Sequence, residues 1–155
     1  MSIGLGLGLG LMRRKRKRNK VITVPCPRIG EYVSSPPAGL YFEVVNRLKL
    51  ISSTLYADGV GVGGNFELTD SDGNVMHTFP FVSGNVGANI LNVGVVLEPG
   101  FYWLCNTGSF SGGRLLRSVG EYPYLSEDLR IVNGGIFPGF NGGYYWSYHL
   151  RYRKV

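Results

Sequence analysis

The sequence predicts an all-β fold, a single antiparallel β-sandwich of jelly-roll type preceded by an extended N-terminal arm, and three observations predict it. Glycine occurs 24 times in 155 residues, while aromatic residues make up 13% and charged residues only 17%. That balance favours turns and half-buried strands over amphipathic helices. From Gly39 onward, short runs of alternating apolar and polar residues are separated by turn-forming clusters. No convincing helical period runs through the chain. The length suits one core, so the division is an arm over 1–38 and one sandwich domain over 39–155.

Strands are expected over 40–45, 48–56, 65–69, 75–81, 89–97, 101–106, 114–118, 129–132 and 144–152. Between them stand Asp58-Gly59, Asp72-Gly73-Asn74, Glu98-Pro99-Gly100, Asn133-Gly134-Gly135 and Asn141-Gly142-Gly143. These supply the positive φ and preset φ that tight connections require. Eight or nine short strands of this kind build two packed sheets rather than one flat one. A short helical turn capped by Ser126 is expected over 126–129.

The arm has three parts. Residues 4–11 alternate glycine and leucine strictly, which places every leucine on one face of an extended strand and bare backbone on the other. Each glycine costs about 1 kcal/mol relative to alanine inside a helix, so helix is disfavoured. Ile3, Leu5, Leu7, Leu9 and Leu11 therefore read as partner-docking residues, suited to adding a strand to the sheet edge of another protein. Arg13, Arg14, Lys15, Arg16, Lys17, Arg18 and Lys20 follow as an electrostatic contact. Pro25, Pro27, Pro36 and Pro37 then mark residues 21–37 as an extended tether.

The order of these segments argues against a secretory signal, in which charges precede the apolar stretch and a cleavage site follows it. The apolar stretch is also too short for a spanning helix, so no membrane partner is expected. The basic run takes seven of the 16 basic residues, leaving nine against ten acidic residues in the rest of the chain. A body at about −1 gives no reason to expect a general polyanion-binding face. The run lacks interleaved aromatics, so any nucleic-acid contact through it would be independent of sequence. Cys26 and Cys105 are the only cysteines; they allow at most one bridge and lack CxxC spacing for a metal.

Several segments resemble motifs that carry chemistry, and each has a simpler reading. Asp70, Asp72, Gly73 and Asn74 resemble the opening of a calcium loop, but the later bidentate Glu is missing and a hairpin turn accounts for them. Gly59, Gly61 and Gly64 fit GxGxxG, yet a strand rather than a helix follows, which favours a glycine bend. His77 and His149 stand in predicted strands among apolar neighbours, outside any nucleophile or metal motif. No catalytic residue, cofactor or metal is expected, and the chain reads as a non-enzyme. Phe137, Phe140, Tyr144, Tyr145, Trp146, Tyr148 and Tyr152 form a dense aromatic set. Of these, Tyr144, Tyr145, Trp146 and Tyr148 are the candidates for a glycan or subunit contact.

Two stretches together resemble bacteriophage virion proteins of the head-fibre, tail-fibre or baseplate kind. The terminal MSIGLGLGLGLM is similar to glycine-rich N-terminal anchor peptides of small virion proteins. DGVGVGGNFELTDSDGNV, HTFPF and LEPGFYWLCN, between Ala57 and Asn106, resemble β-sandwich modules of phage fibres and carbohydrate-binding jelly rolls. The resemblance covers about half of the chain. It implies a non-enzymatic subunit of the virion, made in the host cytoplasm, that docks into capsid or tail partners. Such a subunit is a homo-oligomer, with a trimer favoured, and displays its sandwich outward. The cationic block beside the anchor departs from that pattern. The alternatives are a carbohydrate- or receptor-binding module and a small-virus coat subunit whose basic arm binds the genome.

Overall fold

A computed structural model of the chain describes residues 20–25, 30–34, 38–106, 108–119, 124–134, 144–146 and 149–155. At Pro25, Ala38, Ser118, Val119, Tyr124, Leu125 and residues 144–146 it describes the backbone alone. Among the described residues the fold is all-β, without helix, in two antiparallel sheets. The strands are β1 (Val21–Pro25), β2 (Gly30–Val33), β3 (Ala38–Val44), β4 (Leu48–Ala57), β5 (Gly63–Asp70), β6 (Val75–Val82) and β7 (Gly87–Leu97). They continue as β8 (Gly100–Asn106), β9 (Leu115–Val119), β10 (Tyr124–Leu125), β11 (Leu129–Gly134), β12 (Tyr144–Trp146) and β13 (His149–Lys154).

Sheet A runs β1-β13-β4, with β7 on the far side of β4; β9 meets β4 at Ala57↔Leu115 and lies between β2 and β12. Sheet B runs β10-β11-β3-β8-β5-β6. Four of the pairings nest: β1 with β13, β3 with β8, β4 with β7, and β5 with β6. The chain thus travels out along one side of a two-stranded ribbon and back along the other. Successive segments of that ribbon fall in alternate sheets, A, B, A, B.

Alternation along each strand supplies the core between the sheets. Leu48, Leu50, Leu55, Leu91, Leu97, Leu150 and Tyr152 from sheet A and Leu40, Phe42, Phe66, Leu68 and Leu104 from sheet B are all buried. In β4 the buried positions switch from even (Leu48, Leu50) to odd (Leu55, Ala57), and the switch occurs at Ile51. There β4 carries one residue more than β13, while β7 carries one more than β4. The surplus in β7 includes Gly94 at φ +69°, a left-handed conformation that glycine adopts without the strain of a Cβ.

A polar tie joins the two sheets. Tyr152 Oη of β13 donates to Asp128 Oδ2 at 3.1 Å and lies 3.0 Å from Ser126 Oγ. Ser126 and Asp128 stand in the turn between β10 and β11. Asp128, 1% exposed, also accepts from Asn46 Nδ2 and pairs with Lys154. Burial is the main influence raising the Tyr152 phenol above its ordinary range.

Four expectations are corrected. The tether expected over 21–37 contains β1 and β2, both strands of sheet A. The β-branched run Val21, Ile22, Thr23, Val24 suits an end strand, and Pro25 closes it where a missing N–H is tolerated. The segment 126–129 forms a hairpin turn rather than a helical one: Ser126 N donates to Leu129 O, and Ser126 Oγ accepts from Leu129 N. Asn133 and Gly134 lie within β11, beside a register shift, instead of in a turn. The single strand expected over 144–152 includes two strands with different partners, β12 on β9 and β13 on β1 and β4.

Candidate functional site

Of the residues singled out from sequence, Ile3, Leu5, Leu7, Leu9, Leu11, Arg13, Arg14, Lys15, Arg16, Lys17, Arg18 and Tyr148 lie outside the described residues. Lys20 is described and exposed, directly before β1. Tyr144, Tyr145 and Trp146 are placed by backbone register opposite Val119, Ser118 and Arg117 of β9.

The motif-like segments bond to their own chain. Asp70 Oδ1 accepts the amides of Asp72 and Asn74, both at 2.9 Å, and Oδ2 accepts Asn74 Nδ2. These bonds hold the carboxyl of Asp70 below the ordinary carboxylate range, the side chain of Asn74 contributing most. Gly73, at φ +85°, completes the β5–β6 turn. In the glycine segment, Gly61 N donates to Ser83 O and Val62 N to Ser83 Oγ, which itself donates to Gly59 O. Gly64 is required there by packing, since a Cβ would come within 2.6 Å of the Phe110 ring. His149 Nε2 is 2.8 Å from Tyr56 Oη, and His77 stacks on Phe79 at the surface. Among the described residues no group of three or more His, Cys, Asp or Glu is placed to hold a metal ion.

What the structure does assemble is a set of surfaces. The first is an edge that is open among the described residues. β6 ends sheet B and β7 ends its side of sheet A, so consecutive strands form the same side of the molecule. Their link is locked by Asn89, which accepts from Gly84 N and Asn85 N and donates to Asn85 O and Gly87 O. Around this edge Val75, Met76, Val82, Val86, Ile90 and Val96 are exposed. Such side chains, beside strands that keep one unpaired edge among the described residues, suit strand addition or subunit packing. Pro80 lies in β6, which is consistent with an end strand.

The second surface is the outside of sheet B, where Tyr41 of β3 stacks on Phe101 of β8 at a centroid distance of 5.6 Å and meets the Trp103 ring at a tilt of 34° and 4.3 Å. Phe101 is 41% exposed, Tyr41 is half-buried and Trp103 is buried, so the ring of Phe101 with part of Tyr41 is what this face offers to a partner. The trio has no local signal in the sequence, because its members come from two separated strands. Each alternates with core residues, and only register makes them neighbours. Nearby, burial and Glu67 push the Cys105 thiol up to about 12, so it is held protonated.

The third surface is the outside of sheet A. Arg151 and Arg153 alternate with buried Leu150 and Tyr152, and Lys49 stands between buried Leu48 and Leu50, so all three point outward. Lys49 and Arg153 are register partners. The body's small net charge concealed this concentration, because carboxylates elsewhere balance it. No protein-family profile matches the chain, and a search of curated proteins finds no significant match.

Proposed function

We propose that this chain is a non-enzymatic structural protein of a phage particle, which docks into a capsid or tail assembly through its N-terminal arm and displays a jelly-roll sandwich. The nested pairing of β1, β3, β4 and β5 with β13, β8, β7 and β6 supports the jelly-roll reading, since a ribbon wrapped upon itself generates that strand order. The observation that carries the docking role is the open β6–β7 edge with its exposed apolar residues. A body whose end strands each keep one edge open among the described residues, beside exposed apolar side chains, is suited to assembly, and an arm of leucines alternating with bare glycine is suited to completing a sheet. The phage assignment rests on the resemblance of the anchor and of the segment between Ala57 and Asn106. In this reading the protein resides in the virion and forms a homo-oligomer, with a trimer favoured.

The test replaces Leu5, Leu7, Leu9 and Leu11 by Ser in the full chain. The variant is expected to fold normally and to be lost from assembled particles; incorporation at the wild-type level would overturn the docking role. A second reading, a small-virus coat subunit whose basic arm binds the genome, is favoured by one observation. The basic run ends at Lys20, immediately before Val21, whose register partner is Arg153 on the cationic face of sheet A. Particles that retain the protein after nuclease treatment and extraction of their nucleic acid would exclude a role that depends on the genome.

A further inference from the structure

We propose that the outer face of sheet A, centred on Lys49, Arg151 and Arg153, is a binding surface for the phosphodiester backbone of nucleic acid. The proposal deepens the second reading above, whose cations lie in the arm, by assigning contacts to the folded body.

The adjoining strands β1, β13, β4 and β7 contain Lys49, Arg151, Arg153 and Lys154 and no aspartate or glutamate. Lys154 is taken up by Glu127 and Asp128. Elsewhere Arg47, Arg114, Arg117 and Arg130 each have a carboxylate partner within 4 Å. Lys49, Arg151 and Arg153 have none among the described residues. Among the described residues, the cations of the body without a carboxylate partner are therefore gathered on one face.

Their spacing is set by the sheet. Arg151 and Arg153 are two residues apart on one strand, roughly 7 Å, and Lys49 is one strand away from Arg153, about 5 Å. A like-charged pair directly across two strands is destabilising, so the Lys49 and Arg153 pair costs the free protein stability. A bound polyanion relieves that repulsion and so stabilises the folded state. Lys20, exposed, stands directly before Val21, which is paired with Arg153 on the side away from Lys49. The residues exposed beside the cations are Val21, Thr23, Asn92 and Val96, with no exposed aromatic ring among them. A cationic face without exposed aromatic rings fits phosphates rather than bases, so binding is independent of sequence.

The experiment measures fluorescence anisotropy of the full chain with a homopolymeric single-stranded oligonucleotide and with a duplex of the same length, across a salt series. Four proteins are compared: wild type, the face variant Lys49→Gln/Arg151→Gln/Arg153→Gln, an arm variant with its seven cations replaced by Gln, and the combination. Neutralising the face is expected to reduce the slope of log affinity against log salt by about two for the single strand and about three for the duplex. The same reduction is expected in the arm variant background. The two probes distinguish single-stranded from duplex ligand. An unchanged slope in both backgrounds overturns the proposal, even where the arm variant shows that the arm binds. A second measurement guards against misfolding: the face variant should melt at or above the wild-type temperature in the absence of ligand. Preferential binding to polyglutamate, with no binding to either oligonucleotide, would assign the face to an acidic protein instead and also overturn the proposal.

Discussion

Across β1, β13, β4 and β7 of sheet A no carboxylate occurs, whereas β3 and β5 of sheet B carry Glu43, Glu67 and Asp70, and β11 carries Arg130 opposite Glu43. The inner faces of the two sheets are alike, both lined by buried leucine and aromatic side chains. The outer faces differ in kind: cations on one, an aromatic row with acidic neighbours on the other. Net charge is a sum over the chain and carries no information about which face each charge occupies. A body close to neutral can therefore present a strongly cationic face, provided that its carboxylates are paired or face elsewhere.

The equivalence of the inner faces is the part of this comparison that mutation can break most severely. Leu50→Ala in sheet A and Leu104→Ala in sheet B, both at fully buried positions, should each cost about 2–5 kcal/mol, because each removes buried methyl groups and leaves a cavity. Urea denaturation of the two variants checks this. A cost below about 1 kcal/mol for either one would show that the core leans on a single sheet.

The tie between the sheets should be worth less. Tyr152→Phe removes the hydroxyl that donates to Asp128 and touches Ser126, with an expected loss of about 1–3 kcal/mol as the buried carboxylate loses a donor. Equal stability of Tyr152→Phe and wild type would mean that the sheets are joined by the apolar layer alone.

The smallest effect concerns the carboxylate just beyond the end of β4. Asp58 accepts Arg114 N at 2.7 Å and Arg114 Nε at 2.6 Å. Its carboxyl is held below the ordinary carboxylate range, chiefly by the bond from the Arg114 amide. A depressed folded-state pKa stabilises the fold when pH lies above the ordinary carboxylate value, and that stabilisation is lost as pH falls through the folded value. Thermal melts from neutral to acid pH should therefore show a shallower decline for Asp58→Asn than for wild type. Parallel declines would remove this contact from the acid sensitivity of the fold.

The strands from β3 to β8 were legible because their evidence is local: alternation within each run and Gly, Asn, Asp or Pro between runs. β1 and β2 were not, since prolines dominate the segment and the partner strands β13 and β9 lie far along the chain. Asn133 and Gly134 have the composition of a turn, but pairing with Tyr41 and Leu40 keeps them in the sheet. The register shift at Ile51 had no signal in local composition, because it is defined by the count of residues in three strands at once. Among the surfaces, the basic run was read directly, while Lys49 with Arg153 and Tyr41 with Trp103 became neighbours only through register.

By itself the sequence determined the β class, most of the strands, several of the turns and the concentration of positive charge ahead of the body. These follow from preferences that each residue exercises with its immediate neighbours. Tertiary structure alone decided which strands pair, where the buried parity of β4 changes, and which cations share a face. Those outcomes depend on contacts between distant segments, whose closure no short window of sequence encodes.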